Sequence, residues 1–360
     1  MIISRRTFLL ALGGAGLTAA SYLLGKRVFK PAREEPVFIA RARSYQADLA
    51  GVLLAGFREL GVRPEEIRGK RILLKPNMVE VSLGAPQINT HPLVVRGAAE
   101  AFLKLGAAGV VVAEGTAHNL DTLLVLEESG LAEVLQEDRL PFVDLNYDSG
   151  FTTANAGGFS RLKTLTFPTT LKQVDWIVSL GKLKTHHWAG VTLSLKNLFG
   201  VMPGIFYGWP KNVLHAAGID QCILDIAVTL KPHFAIVDGI VGMEGDGPIL
   251  GTPKEAGVLV MGRNLAAVDA TCARIMGIDP LRVKYLAAAA GYLGPVAANL
   301  IPQRGEAIAR VCTNFLLLDK IPAERDLRAG SARPQPLVAS LPDLIPGLAP
   351  YCPPGLRGLS

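Results

Sequence analysis

The stretch Val110-Val111-Val112-Ala113-Glu114-Gly115-Thr116 decides the fold class. Its first four residues are all apolar and three of them are β-branched, which is the composition of a strand buried on both faces of a parallel sheet. The apolar run stops at Glu114, so polar side chains follow the strand at the point where it ends. The segment therefore predicts a buried parallel strand that delivers polar groups to one edge of a sheet.

Similar strands alternate with helices on both sides of this segment. The strands are predicted at Val37–Ala42, Arg71–Leu74, Val110–Ala113, Phe142–Leu145, Trp176–Leu180, Ala235–Val237, Val258–Met261 and Val311–Leu318. The helices are predicted at Asp48–Leu60, Pro92–Leu105, Leu120–Glu128, Leu131–Gln136, Ala266–Met276 and Arg282–Ala290. This alternation predicts an α/β fold with mostly parallel sheets and flanking helices. We expect two lobes, residues 36–170 and 171–330, with a cleft between them, followed by a Pro-rich tail at residues 331–360.

Composition and charge indicate a globular protein. Hydrophobic residues make up 49% and charged residues 19% of the 360 residues, which is no signature of disorder. Five of the six net positive charges lie in residues 1–30, which contain no acidic residue, so the remainder carries a net charge of +1. This distribution argues against a nucleic-acid partner.

The cysteines place a limit on metal chemistry. No Cys-x-x-Cys pair occurs among the four, which are Cys222, Cys272, Cys312 and Cys352. We therefore expect no iron–sulfur cluster and no zinc knuckle. Free thiols and disulfides are both compatible with this spacing.

The N-terminal segment predicts export. Ser4-Arg5-Arg6-Thr7-Phe8-Leu9 matches the twin-arginine pattern, and an uncharged stretch follows from Phe8 to Leu24. We interpret residues 1–30 as a signal read by the twin-arginine translocation machinery. The predicted location is periplasmic or otherwise extracytoplasmic. Cleavage near Thr18-Ala19-Ala20 and retention of residues 8–24 as a membrane tether both remain open.

Polar residues concentrate where four predicted strands end. These ends are Leu74–Asn77, Ala113–His118, Gly181–His187 and Asp238–Pro248. Ligands of open α/β sheets bind at the carboxyl ends of the strands. The sequence therefore predicts one site at this edge.

The third strand end and the segment after it are richest in reactive groups. Lys182 and Lys184 share one face if the strand continues, and two ammonium groups held together favour a carboxylate or a phosphate. His186 suits proton transfer or metal binding. Lys196 lies among small and apolar residues, where desolvation lowers the pKa of an amine. We predict that a small anionic substrate is bound by Lys75, Asn77, Lys182, Lys184 and Asn197, and that the catalytic residues are His118, His186 and Lys196.

The fourth strand end carries an acidic cluster, Asp238, Glu244 and Asp246. Carboxylate oxygens are the ligands that hard divalent cations prefer. A cation-dependent hydrolase is therefore one alternative, and a tight turn at Asp238-Gly239 without a bound ion is another.

The chain resembles the domain of unknown function 362 family from about Leu73 to Leu286. The motifs that carry the resemblance are Leu74–Asn77, Lys182–His186, Leu195–Gly200, Asp238-Gly239 through Gly247-Pro248, and Ala267–Asp269. Some members of that family carry ferredoxin-type cysteine motifs, and this sequence has none.

A more distant likeness points to nickel-pincer lactate racemases. It rests on Gly181, Thr185-His186, Trp188–Gly190, Leu195-Lys196, Pro203-Gly204 and His215, with Gly115–His118 similar to an upstream Gly-Thr-His but one residue longer. The likeness implies that Lys196 holds a nickel-pincer-type nucleotide and that His215 binds the nickel. It further implies that His118 and His186 are an acid/base pair for hydride removal from a 2-hydroxy acid and its return.

These observations favour an enzyme acting on a small anionic substrate, of the isomerase or oxidoreductase class. The chemistry would be His/Lys acid–base transfer or cofactor-assisted hydride transfer. The alternative is a non-catalytic protein, either a ligand-binding module or an accessory of an iron–sulfur redox complex.

Overall fold

The computed structural model describes residues 33–116 and 121–330. The predicted signal, the Pro-rich tail, His118 and Cys352 lie outside the described residues, so their predictions stay predictions.

Strands and helices alternate along the described chain. The strands are β1 (Val37–Arg41), β2 (Arg71–Lys75), β3 (Gly109–Glu114), β4 (Phe142–Asp144), β5 (Gly150–Ala154), β6 (Thr164–Pro168), β7 (Trp176–His186), β8 (Gly190–Thr192), β9 (Phe234–Glu244), β10 (Thr252–Gly262) and β11 (Gln303–Gly305). The helices are α1 (Leu49–Glu59), α2 (Pro64–Ile67), α3 (Pro92–Lys104), α4 (Thr122–Glu128), α5 (Leu131–Glu137), α6 (Ser194–Asn197), α7 (Gly204–Tyr207), α8 (Asn212–Ala217), α9 (Ile219–Leu230), α10 (Leu265–Ile275), α11 (Lys284–Ala289) and α12 (Ile308–Val311).

One large mixed sheet organises the molecule. Its order is β11-β1-β10-β9-β7-β2-β3-β4, and β8 pairs with β7 outside this path. Neighbouring strands are parallel except where β10 meets β9 and β1, and where β8 meets β7. The carboxyl ends of β2, β3, β7 and β9 therefore lie at the same edge. The α/β class with a mostly parallel sheet is confirmed.

Alternation along the strands gives the sheet two buried faces. In β9, Phe234 and Ile236 pack into one apolar cluster, while Ala235 and Val237 pack into the other. Successive side chains of a strand point to opposite faces, so a fully apolar strand requires cover on both sides. Helices α1 and α3 cover the first face, and α9 and α10 cover the second.

The two-lobe arrangement is not confirmed. Strand β1 belongs to the predicted first lobe, yet it lies between β10 and β11 of the predicted second lobe. The hydrogen-bonded sheet is continuous across the expected boundary at residue 170. A cavity lies at the carboxyl edge of this continuous sheet.

The prediction of a last strand at Val311–Leu318 was wrong. Val311 ends helix α12, and residues 312–330, the last that the structure describes, form no strand. The backbone amides of Thr313 and Phe315 donate to Ile275 and Met276 at the end of α10. These hydrogen bonds satisfy the carbonyls of a helix terminus, so the apolar run packs against a helix instead of extending the sheet. The edge strand β11 comes earlier, in a polar segment.

Several element boundaries also differ from prediction. Strand β7 continues to His186, six residues past the expected end at Leu180, because its second half pairs with β9 and β8. The helix predicted at Arg282–Ala290 begins instead at Lys284, after a 3₁₀ turn at Pro280–Arg282. The antiparallel hairpin of β5 and β6 was not predicted.

Cys222 and Cys272 are buried free thiols, and Cys312 is an exposed one. Within residues 33–116 and 121–330, no helix has the length and apolar character needed to cross a membrane.

Candidate functional site

A buried ion pair joins the ends of β2 and β3. Lys75 Nζ donates to Glu114 Oε2 at 2.5 Å, and both side chains are almost completely buried. Lys75 Nζ also donates to the Pro76 carbonyl at 2.7 Å and to Asn197 Oδ1 at 2.9 Å. A side chain at Gly200 would overlap Glu114, so glycine is required where this segment crosses the pair. The Lys75 ammonium is thus engaged by protein groups on three sides.

The lysine orients two amides. Asn197 Oδ1 faces the Lys75 ammonium, and Asn197 Nδ2 donates to the Lys75 carbonyl and to Ser179 Oγ. Because Asn197 Oδ1 also accepts from Asn77 Nδ2 at 3.2 Å, the amide oxygen of Asn77 must turn the other way. Asn77 Oδ1 is buried and has no hydrogen-bond partner in the described chain. A buried oxygen of this kind costs about 1–3 kcal/mol until a donor reaches it.

The two lysines of β7 are also engaged by the protein. Lys182 Nζ donates to Asp238 Oδ2 at 2.7 Å and to Tyr45 Oη at 3.1 Å, and the Lys182–Asp238 pair is fully buried. Lys184 Nζ donates to the carbonyls of Ile88 and Pro248. Burial, followed by the charges of Lys182 and Lys196, holds the pKa of Lys184 well below its usual range. Neither side chain lines the cavity described next.

A cavity of about 340 Å³ opens beside these pairs. It is lined from β2, β3 and the β7–β8 turn, and by the segment from Thr192 to His215. Six of its lining residues were predicted site residues: Lys75, Asn77, His186, Lys196, Asn197 and His215. Predicted site residues from four separate segments, His215 among them, therefore share one concave surface, which is the usual form of a small-molecule site.

Lys196 is the amine left available to a ligand. Its Nζ lies 4.1 Å from the centroid of the Phe199 ring. Within the described residues, no carboxylate or carbonyl accepts a hydrogen bond from it. Burial and the charge of Lys75 lower the pKa of Lys196 to about 7, against a smaller opposing effect of Glu114. Near neutral pH this amine is therefore divided between its charged and its nucleophilic form.

Two histidines of the cavity have opposite tautomers. His186 Nδ1 accepts hydrogen bonds from the amides of Trp188 and Ala189, so its proton is on Nε2. His215 Nδ1 lies 3.1 Å from the Lys211 carbonyl, which can only accept, so in the neutral ring Nδ1 carries the proton and Nε2 carries the lone pair. One ring thus offers a donor and the other an acceptor.

Both imidazoles are kept neutral. Burial and the charge of Lys196 hold the pKa of His186 well below its usual range. The same two causes, in the same order, lower the pKa of His215 to about 4. A neutral imidazole can donate a hydrogen bond through its N–H group and accept a proton at its other nitrogen.

Sequence reasoning missed the residue that supports His215. Lys211 has a left-handed backbone (φ 66°), and its buried Nζ donates to Asn146 Oδ1 and to the Met202 carbonyl. These two hydrogen bonds hold Lys211 in place, and with it the Lys211 carbonyl that orients the His215 ring. No periodicity or motif marks Lys211, because its partners come from distant segments. Thr192 was also missed, although its buried and unpartnered Oγ1 belongs to a residue that lines the cavity.

The three acidic residues do not form a cluster. Asp238 pairs with Lys182, Glu244 lies 3.2 Å from Lys254, and Asp246 lies 4.0 Å from His187 Nδ1. Nor do the described residues bring together three His, Cys, Asp or Glu side chains that could hold a metal ion.

The cavity and the Lys75–Glu114 pair in its wall fall within a single family match. The family model described as Domain of unknown function (DUF362) matches residues 72–274. The chain belongs to this family. The matched DUF362 region contains Lys75 and Glu114 as well as the whole segment from β7 to His215.

A curated relative extends the match beyond the DUF362 region. The chain is 30% identical over 275 residues to a thylakoid-associated protein of Synechocystis sp., which covers 73% of this chain and 82% of that protein. A crystal structure of a protein from Thermotoga maritima aligns with 63% of this chain and 57% of that one, at 13% identity and a TM-score of 0.37. The chain thus spans less than two thirds of that structure.

Proposed function

We propose that this DUF362 chain is an enzyme that binds a small anionic substrate in the Lys196 cavity and exchanges protons with it. The observation that carries the proposal is the unpartnered Lys196 amine in a cavity shared with two imidazoles of opposite tautomer. The amine can attract the anion. His186 Nε2–H can donate a hydrogen bond that stabilises negative charge on a substrate oxygen, and His215 Nε2 can accept a proton from the substrate as a general base.

The role of Lys75, Lys182 and Lys184 in this proposal is indirect. Their ammonium groups are bound to protein oxygens, so they shape and charge the site while Lys196 meets the ligand. His118, predicted as the second acid/base residue, lies outside the described chain. In the proposed site, His215 has the role that the sequence analysis predicted for His118, as the second imidazole beside His186.

Binding and proton exchange test the proposal together. Isothermal titration calorimetry measures the binding of small carboxylates. We expect the wild-type protein and the control variant Lys163→Met, in which an exposed lysine is replaced, to bind them equally well. Lys196→Met should bind them at least about tenfold more weakly. Incubated in D₂O, a bound substrate should lose a C–H proton signal in NMR spectra, and His186→Gln and His215→Gln should each slow this exchange by about 10²-fold or more.

Two results would contradict the proposal. Equal carboxylate binding by the wild-type protein, Lys163→Met and Lys196→Met would show that Lys196 is not at the anion site. Binding without any proton exchange would favour the non-catalytic ligand-binding module.

A nickel-pincer reaction is a second candidate, because Lys196 and His215 line the same cavity. In that case the Lys196 amine would hold the pyridinium-derived group and His215 Nε2 would bind nickel. The bound group would supply hydride transfer. His186 would remain the hydrogen-bond donor at the substrate.

Intact mass spectrometry of protein from its native host tests this candidate and the proposed export together. For export we rely on the twin-arginine pattern at Ser4–Leu9, and the thylakoid-associated relative supports a location near a membrane. A mass lacking about the first 20–30 residues supports export with cleavage. An added organic mass accompanied by nickel supports the cofactor. The full unmodified mass in the cytoplasmic fraction contradicts both.

A further inference from the structure

The environment of Lys196 favours the uncharged, nucleophilic form of its amine over an ammonium group held in an ion pair. Glu114, the acid whose charge favours protonation of Lys196, is already bonded to Lys75 and to two backbone amides. The positive charge of Lys75 therefore disfavours protonation of Lys196. The Glu114 carboxylate is hydrogen-bonded to Lys75 and not to Lys196. An amine desolvated beside a second cation is one of the established ways to obtain a reactive lysine.

The walls of the cavity match the steps of an addition to a carbonyl group. His186 Nε2–H can donate to a carbonyl oxygen, and His215 Nε2 can accept a proton from the attacking nitrogen. Asn77 Oδ1 is held as an acceptor by Lys75 through Asn197. An oxo acid has no donor for this oxygen, but the hydroxyl group of an addition intermediate has one. The site thus offers an interaction that arises only as the reaction proceeds.

We propose that Lys196 forms an imine with the carbonyl carbon of a small oxo acid, which names the substrate class of the proposed enzyme and rests on that proposed function. The lone pair of Nζ forms the new C–N bond while the carbonyl oxygen takes up a proton. The resulting carbinolamine expels this oxygen as water and becomes the imine. Both hydrogens of the amine leave in the water molecule, so no oxidant or reductant takes part.

Borohydride trapping tests the imine directly. The full-length protein is incubated with glyoxylate or pyruvate, reduced with sodium borohydride and mapped by peptide mass spectrometry. We expect one reduced adduct, on Lys196, formed at least about 100-fold faster than on the exposed Lys163 of the same molecule. Lys196→Arg keeps a positive charge but has no nucleophilic amine, so its adduct should be lost.

Controls separate this inference from the proposed function. Lactate has a carboxylate but no ketone, so it should slow the adduct by competition and form none itself. An adduct spread evenly over exposed lysines, or one that persists in Lys196→Arg, overturns the imine. If the oxo acids bind and exchange protons but leave no adduct on Lys196, the imine is wrong and the acid–base function stands. If they neither bind nor react, both fall.

Discussion

Lys75→Met is expected to lower the free energy of unfolding by about 3–5 kcal/mol, because it leaves the Glu114 carboxylate buried without its counter-charge. Glu114 would keep only the amides of Met78 and Gly115 as donors. The Asn197 carboxamide would also lose the ammonium that orients it. Chemical denaturation followed by circular dichroism measures the change.

A double replacement and a surface pair serve as controls for this effect. Lys75→Met/Glu114→Gln removes both charges and should recover part of the lost stability. Lys104→Met breaks an exposed pair with Glu100, and such pairs contribute about 0–1 kcal/mol. If Lys75→Met lowers the free energy of unfolding no more than Lys104→Met does, the Lys75–Glu114 pair does not stabilise the fold as a buried ion pair.

Lys196 is expected to be about 10²–10³ times richer in free base than an exposed lysine at pH 7, because its pKa is about 7 while an ordinary lysine has a pKa of about 10.4. Only the deprotonated amine is a nucleophile, so its acylation rate should rise with pH and reach half its maximum near pH 7. Competitive acetylation with mass spectrometric readout gives this midpoint, with Lys163 as the internal reference.

The cause of the lowered pKa can be tested in the same assay. The Lys75 charge opposes protonation of Lys196, whereas Glu114 favours it. Lys75→Met should therefore move the midpoint of Lys196 acylation to higher pH in a protein that still folds. A midpoint of Lys196 near that of Lys163 in the wild type would contradict the desolvated position of the amine.

Much of the fold was predictable because it depends on local pattern. The β-branched run Val110–Ala113 requires cover on both faces, and only a sheet between helices provides this. The same logic failed at Val311–Leu318, where the apolar residues cover the end of α10. Apolar composition predicts burial, but it does not say which element supplies the hydrogen bonds.

The candidate site was predictable as a region more than as a set of roles. Parallel strands bring their carboxyl ends together, so Lys75 and His186 could be assigned to one edge from their sequence positions alone. The sequence did not reveal that Lys75, Lys182 and Lys184 are bound to protein oxygens. Their partners come from other strands and loops, and no short-range signal marks them.

The sequence by itself determined that this is an α/β protein of the DUF362 family with lysines and histidines at its strand ends, since hydrophobic periodicity and short motifs are local properties. Only the tertiary structure decided which lysine remains available to a ligand. Glu114 pairs with Lys75 across 39 positions and Asp238 pairs with Lys182 across 56, while no acidic side chain of residues 33–116 and 121–330 forms an ion pair with Lys196. The protonation of an amine depends on desolvation and on neighbouring charges in space, and both exist only once the strands have assembled.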